Sequence, residues 1–248
     1  MKRLSIIILV ILMNISVQAQ QWVTEGVIEY EVKTNQRKQY EGDEFFAQML
    51  DKIPQFVTNY YKCYFADNKS LYKFDRKAAT AQQSTFFFGP GQDESEWFND
   101  YNTGTYTNLA TIEGYIQLSG EQKKIDWKIF PDDQREIAGF NCRKAQTVLF
   151  DSVYVFVYYT DQITMSGGPM GLHGLPGMIL GVTVPRMYTS WMATTVQLTR
   201  PVANIVKAPT KGKKKTMEEI KTDIGKLAKS WGSDSRKWLD QMLWRVLL

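Results

Sequence analysis

The sequence predicts a mainly β protein. An antiparallel meander would form a curved half-barrel or a sandwich, with one short helix in the N-terminal half and amphipathic helices at the C-terminus. Short segments rich in β-branched and aromatic residues recur from residue 103 onward, with turn residues between them. Helical periodicity is confined to a stretch near residue 50 and to the C-terminal part. Because all-β domains often reach about 200 residues or more, one such domain is expected over residues 20–200.

Residues 1–19 are predicted to be a secretory signal peptide. A Lys-Arg pair at positions 2 and 3 precedes an almost unbroken apolar run, and Val17-Gln18-Ala19 fits a cleavage site after Ala19. An uncleaved anchor is the alternative, although the apolar run is shorter than the roughly 20 residues that span a membrane. We therefore expect a periplasmic or secreted protein.

Period-2 alternation identifies the first strand. Ile28, Tyr30 and Val32 alternate with charged residues, a pattern typical of a half-buried strand. The other elements predicted for the N-terminal half are a helix over residues 43–53 and strands over residues 60–65 and 71–74, with a turn at residues 66–69.

Residues 78–102 are predicted to be a long surface loop, or a short strand with a lid over residues 86–102. Loops of that length are often functional. Asp93, Glu94 and Glu96 could suggest a metal site, but they lack the spacing of a calcium loop, so neither a metal nor another cofactor is expected.

From residue 103 the pattern is a succession of short strands with turns at positions such as Asp132-Asp133. The regular spacing favours an antiparallel meander. The predicted strands cover residues 103–107, 115–118, 124–129, 135–137, 142–150, 153–159, 180–184 and 188–198.

The C-terminal part, residues 201–248, is strongly basic. From residue 200 onward there are 12 Lys and Arg against 5 Asp and Glu, whereas the preceding residues hold 18 against 21. A basic linker over residues 201–215 leads to two amphipathic helices, the first opening with a capping box of Thr216 and Glu219. These helices either pack on the β domain or make peripheral contact with a membrane. The basic run has no interleaved aromatic residues, so nucleic-acid binding is not expected.

The densest cluster of Gly and Pro lies between residues 166 and 181. Gly174-Leu175-Pro176-Gly177 predicts a rigid turn, and Met178-Ile179 begins a buried strand after it. Gly168-Pro169 belongs to an earlier, looser loop. A phosphate-binding loop would open a helix and carry a Lys, and neither is present here. The cluster therefore predicts a structural corner.

At these residues the chain resembles the GLPGLI family, a group of exported proteins of Bacteroidetes-type bacteria. The similarity covers about residues 127–184, including the contexts at 139–145 and 158–163 and the Gly168-Pro169 pair. Met178 replaces the second Leu of the hexapeptide, and Thr164 stands where a Pro is usual. The resemblance implies export, but it implies no biochemical activity.

Cys63 and Cys142 are the two cysteines, and both are predicted to lie on strands. In an oxidising compartment they either form a disulfide or remain buried thiols. A catalytic thiol would need a basic partner in space, which the sequence does not indicate.

His173, the single histidine, lies inside the Gly-rich loop. With Ser166 and Asp161 it could form a hydrolase triad, but no Gly-x-Ser-x-Gly nucleophile motif is present. The sequence therefore favours a non-catalytic cell-envelope protein that binds an apolar or peptide ligand, or a partner protein. The alternative is an extracytoplasmic hydrolase that uses the loop around His173.

Overall fold

The computed structural model describes residues 25–42, 47–79, 95–111, 114–150, 152–198 and 205–230, together with 240, 243 and 244. Within this part of the chain no helix is both long enough and apolar enough to cross a bilayer.

The described residues form twelve strands and two α-helices. The N-terminal half holds β1 (Gly26–Asn35), α1 (Gln36–Tyr40), β2 (Phe56–Ala66), β3 (Lys69–Lys77), β4 (Glu96–Asp100), β5 (Thr105–Thr111) and β6 (Tyr115–Glu121). The C-terminal half holds β7 (Lys128–Ile137), β8 (Phe140–Leu149), β9 (Val153–Thr160), β10 (Met178–Val184), β11 (Thr189–Gln197), β12 (Lys213–Lys214) and α2 (Met217–Ser230). Short 3-10 helices occur at Leu50–Lys52 and Pro185–Met187.

All twelve strands belong to one open sheet that does not close into a barrel. Its order is β12-β6-β5-β4-β3-β2-β1-β11-β10-β9-β8-β7. Most neighbours are consecutive and antiparallel, and the exception in direction is β12, which pairs in parallel with β6. The fold class predicted from the sequence, a mainly β antiparallel meander with few helices, is confirmed.

One face of the sheet carries the core. The alternation in β1 buries Ile28, Tyr30 and Val32, as the period-2 pattern predicts. Val155 and Val157 on β9 are fully buried on the same principle.

Residues 161–177, which connect β9 to β10 and are called the inner loop below, pack into this core. The backbone N–H of Met178 donates to Ile163 at 3.1 Å, and that of Ile179 donates to Gly167 at 2.8 Å. The loop side chains Leu172 and Leu175 are buried. An apolar loop therefore fills part of the space that a closed barrel would fill with side chains from its own strands.

Helix α2 packs on the sheet. Ile220 and Ile224 are buried in a small cluster with Ala110, Ile116 and Leu118 of β5 and β6. The capping box is confirmed, since the N–H of Thr216 donates to the Glu219 carboxylate at 2.7 Å and the N–H of Glu219 donates to Thr216 Oγ1 at 3.2 Å. The sequence left open whether this helix packs on the β domain or contacts a membrane. In the structure its apolar side packs against the sheet.

The helix predicted over residues 43–53 ends earlier than expected in the described part of the chain, where Ala47 is α-helical and residues 48–49 form a turn. A separate helix that the sequence did not predict, α1, begins at Gln36, where Asn35 Oδ1 accepts a hydrogen bond from the N–H of Lys38 at 3.2 Å and so caps it. Residues 48–53 hold turns and the 3-10 helix Leu50–Lys52, which is tied to α1 by the Arg37 Nε donation to Ile53 O at 2.7 Å. Residues 43–46 lie outside the described residues.

The turn predicted at Asp132-Asp133 is also wrong, because β7 runs through it as a single strand with a bulge between Phe130 and Gln134. Asp133 pairs with Lys144 at 2.7 Å and accepts a hydrogen bond from the Tyr158 hydroxyl at 3.2 Å. These contacts to β8 and β9 hold the bulge in the sheet, where an isolated Asp-Asp pair would favour a turn.

Three other predictions fall outside the described residues. They are the signal peptide, the part of the 78–102 segment that carries Asp93 and Glu94, and most of the second C-terminal helix. The described end of the 78–102 segment forms β4, which includes Glu96.

We predict that Gly177→Ala destabilises the fold by at least about 3 kcal/mol. Gly177 has φ +145°, and a Cβ there would lie 2.0 Å from the carbonyl oxygen of Thr160. Gly42 also has a positive φ, but a Cβ there would meet nothing within 4 Å. Gly42→Ala should therefore lower the free energy of unfolding by only about 1–2 kcal/mol. Urea unfolding monitored by circular dichroism measures both.

Gly225→Ala serves as the second control, because Gly225 lies in α2 and a Cβ there meets nothing within 4 Å. It should be neutral or stabilise by up to about 1 kcal/mol. Equal unfolding midpoints for the Gly177 and Gly42 variants would contradict the close contact between the inner loop and β9.

Candidate functional site

Aromatic side chains line the inner face of β2, β3 and β4. The rings of Tyr61 and Tyr72 stack with centroids 5.1 Å apart and planes 4° from parallel. Trp97 meets Tyr72 edge-on at 6.0 Å, and Phe74 meets Tyr61 edge-on at 5.5 Å. Tyr72 is buried whereas the other three rings are partly exposed, so this wall presents apolar surface to the concave side of the sheet.

The tip of the inner loop, residues 170–173, is held against β4 and the segment before β7 by side-chain hydrogen bonds. Asn99 Nδ2 donates to Met170 O at 3.0 Å, and Gln122 Nε2 donates to Asn99 Oδ1 at the same distance. Trp127 Nε1 donates to His173 O at 2.9 Å. These bonds join parts of the chain that are distant in sequence, and they fix the position of the loop tip.

A cavity of about 360 Å³ lies between the loop tip, strands β4–β6, the end of β8 and the first turn of α2. Its polar lining includes the buried amide of Asn108 and the half-buried imidazole of His173, while Glu121, Lys123 and Lys124 are exposed at its mouth. The apolar walls are formed by Trp97, Leu118, Ile125, Leu149, Leu172 and Met217.

The geometry of His173 defines one polar group of this cavity. Its Nδ1 lies 2.8 Å from the carbonyl oxygen of Gly171. Because a carbonyl only accepts hydrogen bonds, Nδ1 carries the proton in this contact. In the neutral ring Nε2 is then left as an acceptor.

None of the glycines and prolines of the predicted motif, at positions 168, 169, 174, 176 and 177, lines the cavity. A Cβ at Gly168 would lie 2.9 Å from Ile179 Cβ, and Gly174 has φ +92°. Pro169 is buried and Pro176 is exposed. The buried side chains of the motif are Leu175, Met178 and Ile179.

Each residue of the hydrolase triad considered from the sequence has a different hydrogen-bond partner. Ser166 Oγ accepts from the N–H of Gly174 at 3.0 Å, and Asp161 pairs with Arg143 at 2.7 Å. His173 bonds through Nδ1 to the loop backbone. No hydrogen bond joins the side chains of these three residues in the described structure, so they do not form a relay.

Cys63 and Cys142 are buried free thiols, so the disulfide that the sequence allowed is not formed in this structure. They lie on β2 and β8, with four strands between them in the sheet. A disulfide needs Cα atoms within about 7 Å. Burial raises the pKa of each thiol to about 12, which keeps both protonated and unreactive at neutral pH.

Sequence reasoning missed most of the cavity. Asn108 is the one lining residue that its local sequence could have indicated, because it is a polar residue beside the apolar pair Leu109-Ala110 in a strand. Trp97, Asn99 and Gln122 carried no signal, because nothing in their local sequence indicates that the inner loop will reach them.

No family model matches the chain, and no curated protein matches it. Solved structures that it resembles include PNGF-II in two crystal forms, with TM-scores of 0.53 and 0.52 at 14% and 15% sequence identity. Each match covers 80% of this chain and 32% of PNGF-II, so the chain spans about a third of that protein's length. An uncharacterized conserved protein from Thermus thermophilus has a TM-score of 0.38 at 6% identity, over 77% of this chain and 90% of that one. At such identities the likeness to PNGF-II is one of fold.

We predict that iodoacetamide modifies neither cysteine in the native protein, because both thiols are buried and a pKa of about 12 leaves little thiolate even near pH 9. In denaturant without reductant, both should react, and mass spectrometry counts the added groups. If alkylation of the unfolded chain required prior reduction, the purified protein would contain a disulfide and the free-thiol arrangement would be wrong.

Proposed function

We propose that this chain is an exported, non-catalytic binding protein of the cell envelope that takes up a small, mainly apolar ligand in the cavity at the inner-loop tip. One observation carries the proposal: the cavity has apolar walls, and its ionisable carboxylate and ammonium groups are confined to the exposed mouth. Such a space favours an apolar group over water, and a charge deep inside would lack a counter-charge.

The size of the cavity limits the ligand. Small-molecule pockets typically measure about 300–1,000 Å³. At about 360 Å³ this cavity suits one compact molecule, or one large side chain of a bound peptide. A peptide would leave its backbone at the mouth, near Lys123 and Lys124.

Hydrogen bonding adds a second preference. The amides of Asn99 and Gln122 are already bonded to each other and to the loop. Because Nδ1 of His173 donates to the carbonyl oxygen of Gly171, the neutral ring retains Nε2 as an acceptor. A ligand with one hydroxyl or N–H donor on an apolar body therefore matches the site best.

Export rests on the sequence, through the predicted signal peptide ending at Ala19 and the resemblance to the GLPGLI family. Binding without catalysis is supported by the separate partners of Ser166, Asp161 and His173, because nucleophilic catalysis requires a nucleophile and a base in mutual contact. Native mass spectrometry of the purified protein identifies a ligand that co-purifies.

We predict that Met217→Trp lowers affinity for the neutral apolar probe N-phenyl-1-naphthylamine by at least about 10-fold. Met217 lines the cavity from the first turn of α2, and an indole there would fill the space that the probe occupies. Fluorescence titration of the probe measures the affinity.

Lys221→Trp is the matched control, since Lys221 lies one turn along the same helix with an exposed side chain. It should leave probe affinity within about 2-fold of the wild type if α2 packing is intact. Thermal unfolding of both variants separates cavity filling from loss of the helix. Equal affinity in the wild type and in a folded Met217 variant would place the probe elsewhere and remove the proposal.

We predict that His173→Ala keeps the fold. It should lower the affinity for a co-purifying ligand that donates a hydrogen bond by about 3- to 10-fold, which corresponds to the loss of one hydrogen bond. His173→Gln, which supplies another acceptor, should recover part of the loss. Thermal unfolding and ligand titration measure the two effects. Hydrolysis of an ester or peptide substrate by the wild type that disappears in the His173→Ala variant would instead establish the hydrolase alternative.

A further inference from the structure

The residues before α2 place a group of lysines along one edge of the sheet. Residues 201–217 contain no Asp or Glu, and Lys207, Lys211, Lys213 and Lys214 are all exposed. These four lysines are called the basic edge below. Two of them form β12, the edge strand, which pairs with Ile116 and Gln117 of β6.

The segment that carries the basic edge is anchored to β6. Gln117 Nε2 donates to Pro209 O at 2.8 Å, and the N–H of Lys215 donates to Gln117 O at 3.0 Å. Gly212 has φ +102°, and a Cβ there would lie 3.0 Å from Tyr115 O. The backbone of residues 209–215 is therefore held along β6, so that Lys211, Lys213 and Lys214 lie within four residues of one another on one edge of the sheet, and Lys207 lies just before them in the chain.

Two of the three acidic residues at the start of α2 are engaged, and the third, Glu218, is exposed. Asp223 pairs with Lys215, and Glu219 accepts the backbone N–H of Thr216. Lys211 of the basic edge lies over the ring of Tyr115 with its ammonium 3.3 Å from the ring centroid. This contact joins an aromatic ring to the cationic surface.

We propose that the basic edge is a docking surface for an anionic phospholipid membrane. Clustered lysines are attracted to anionic headgroups, each contributing about 1 kcal/mol, or about 5-fold in binding. Tyr115 and the partly buried Val206 add apolar and amphipathic groups of the kind found at membrane interfaces. This differs from binding through the apolar side of α2, which the sheet already covers.

The test is co-sedimentation of the full chain with phosphatidylglycerol vesicles at low ionic strength. Replacing Lys207, Lys211, Lys213 and Lys214 together by Gln should lower vesicle partitioning by roughly 100-fold or more. Added salt should weaken wild-type binding, because surface charges are screened. These substitutions keep α2 and the core, whereas deleting residues 201–248 would also remove the helix from the sheet.

The matched control replaces four exposed lysines elsewhere, Lys33, Lys52, Lys77 and Lys128, by Gln. It produces the same change in net charge and should keep partitioning within about 5-fold of the wild type. Equal losses in the two variants would overturn the proposal in favour of a general charge effect. Absence of wild-type binding, or equal binding to phosphatidylcholine vesicles, would also overturn it. So would binding of soluble polyphosphate without vesicle binding, which would make the partner a polyanion.

Discussion

The packing of the inner loop against the concave face of the sheet is the contact on which the rest of the structure depends. An open sheet of twelve strands cannot cover its own inner face, so something else must fill it. Here residues 161–177 cover much of it and α2 covers another part, and Gly177 allows the loop to pass so close to Thr160 that no side chain would fit. The Tyr30 hydroxyl adds a buried hydrogen bond of 2.6 Å to Ile179 O, which joins the start of β10 to β1.

This contact explains why the most recognisable sequence motif lies beside the candidate site and not in it. Gly174, Pro176 and Gly177 set the path of the chain, and Leu175 is buried below. The preceding residues, Gly171 to His173, form the loop tip and one wall of the cavity. A rigid turn therefore supports a site made largely by its neighbours, as loops on a fixed scaffold commonly do.

The sequence predicts what is decided locally. The alternation in β1 and the capping box of Thr216 and Glu219 each depend on a few consecutive residues, and both are found where they were expected. The bulge at Asp133 was missed because its partners, Lys144 and Tyr158, lie on other strands. The cavity was missed for the same reason, since its walls come from segments between residues 97 and 217 that only the curvature of the sheet brings together.

Helix α2 connects the cavity and the basic edge, the two surfaces proposed to bind. Its first residue, Met217, is a wall of the cavity, and the segment immediately before it is bonded to β6 through Gln117. The helix is held to β5 and β6 by a cluster that is separate from the main core, and such small clusters open at lower free energy than the core does. Residues 209–215 lead directly into Met217, whereas the tip of the inner loop is bonded to Asn99 and Trp127. The cavity wall that opens at the lowest free energy is therefore the one formed by α2, next to the basic edge.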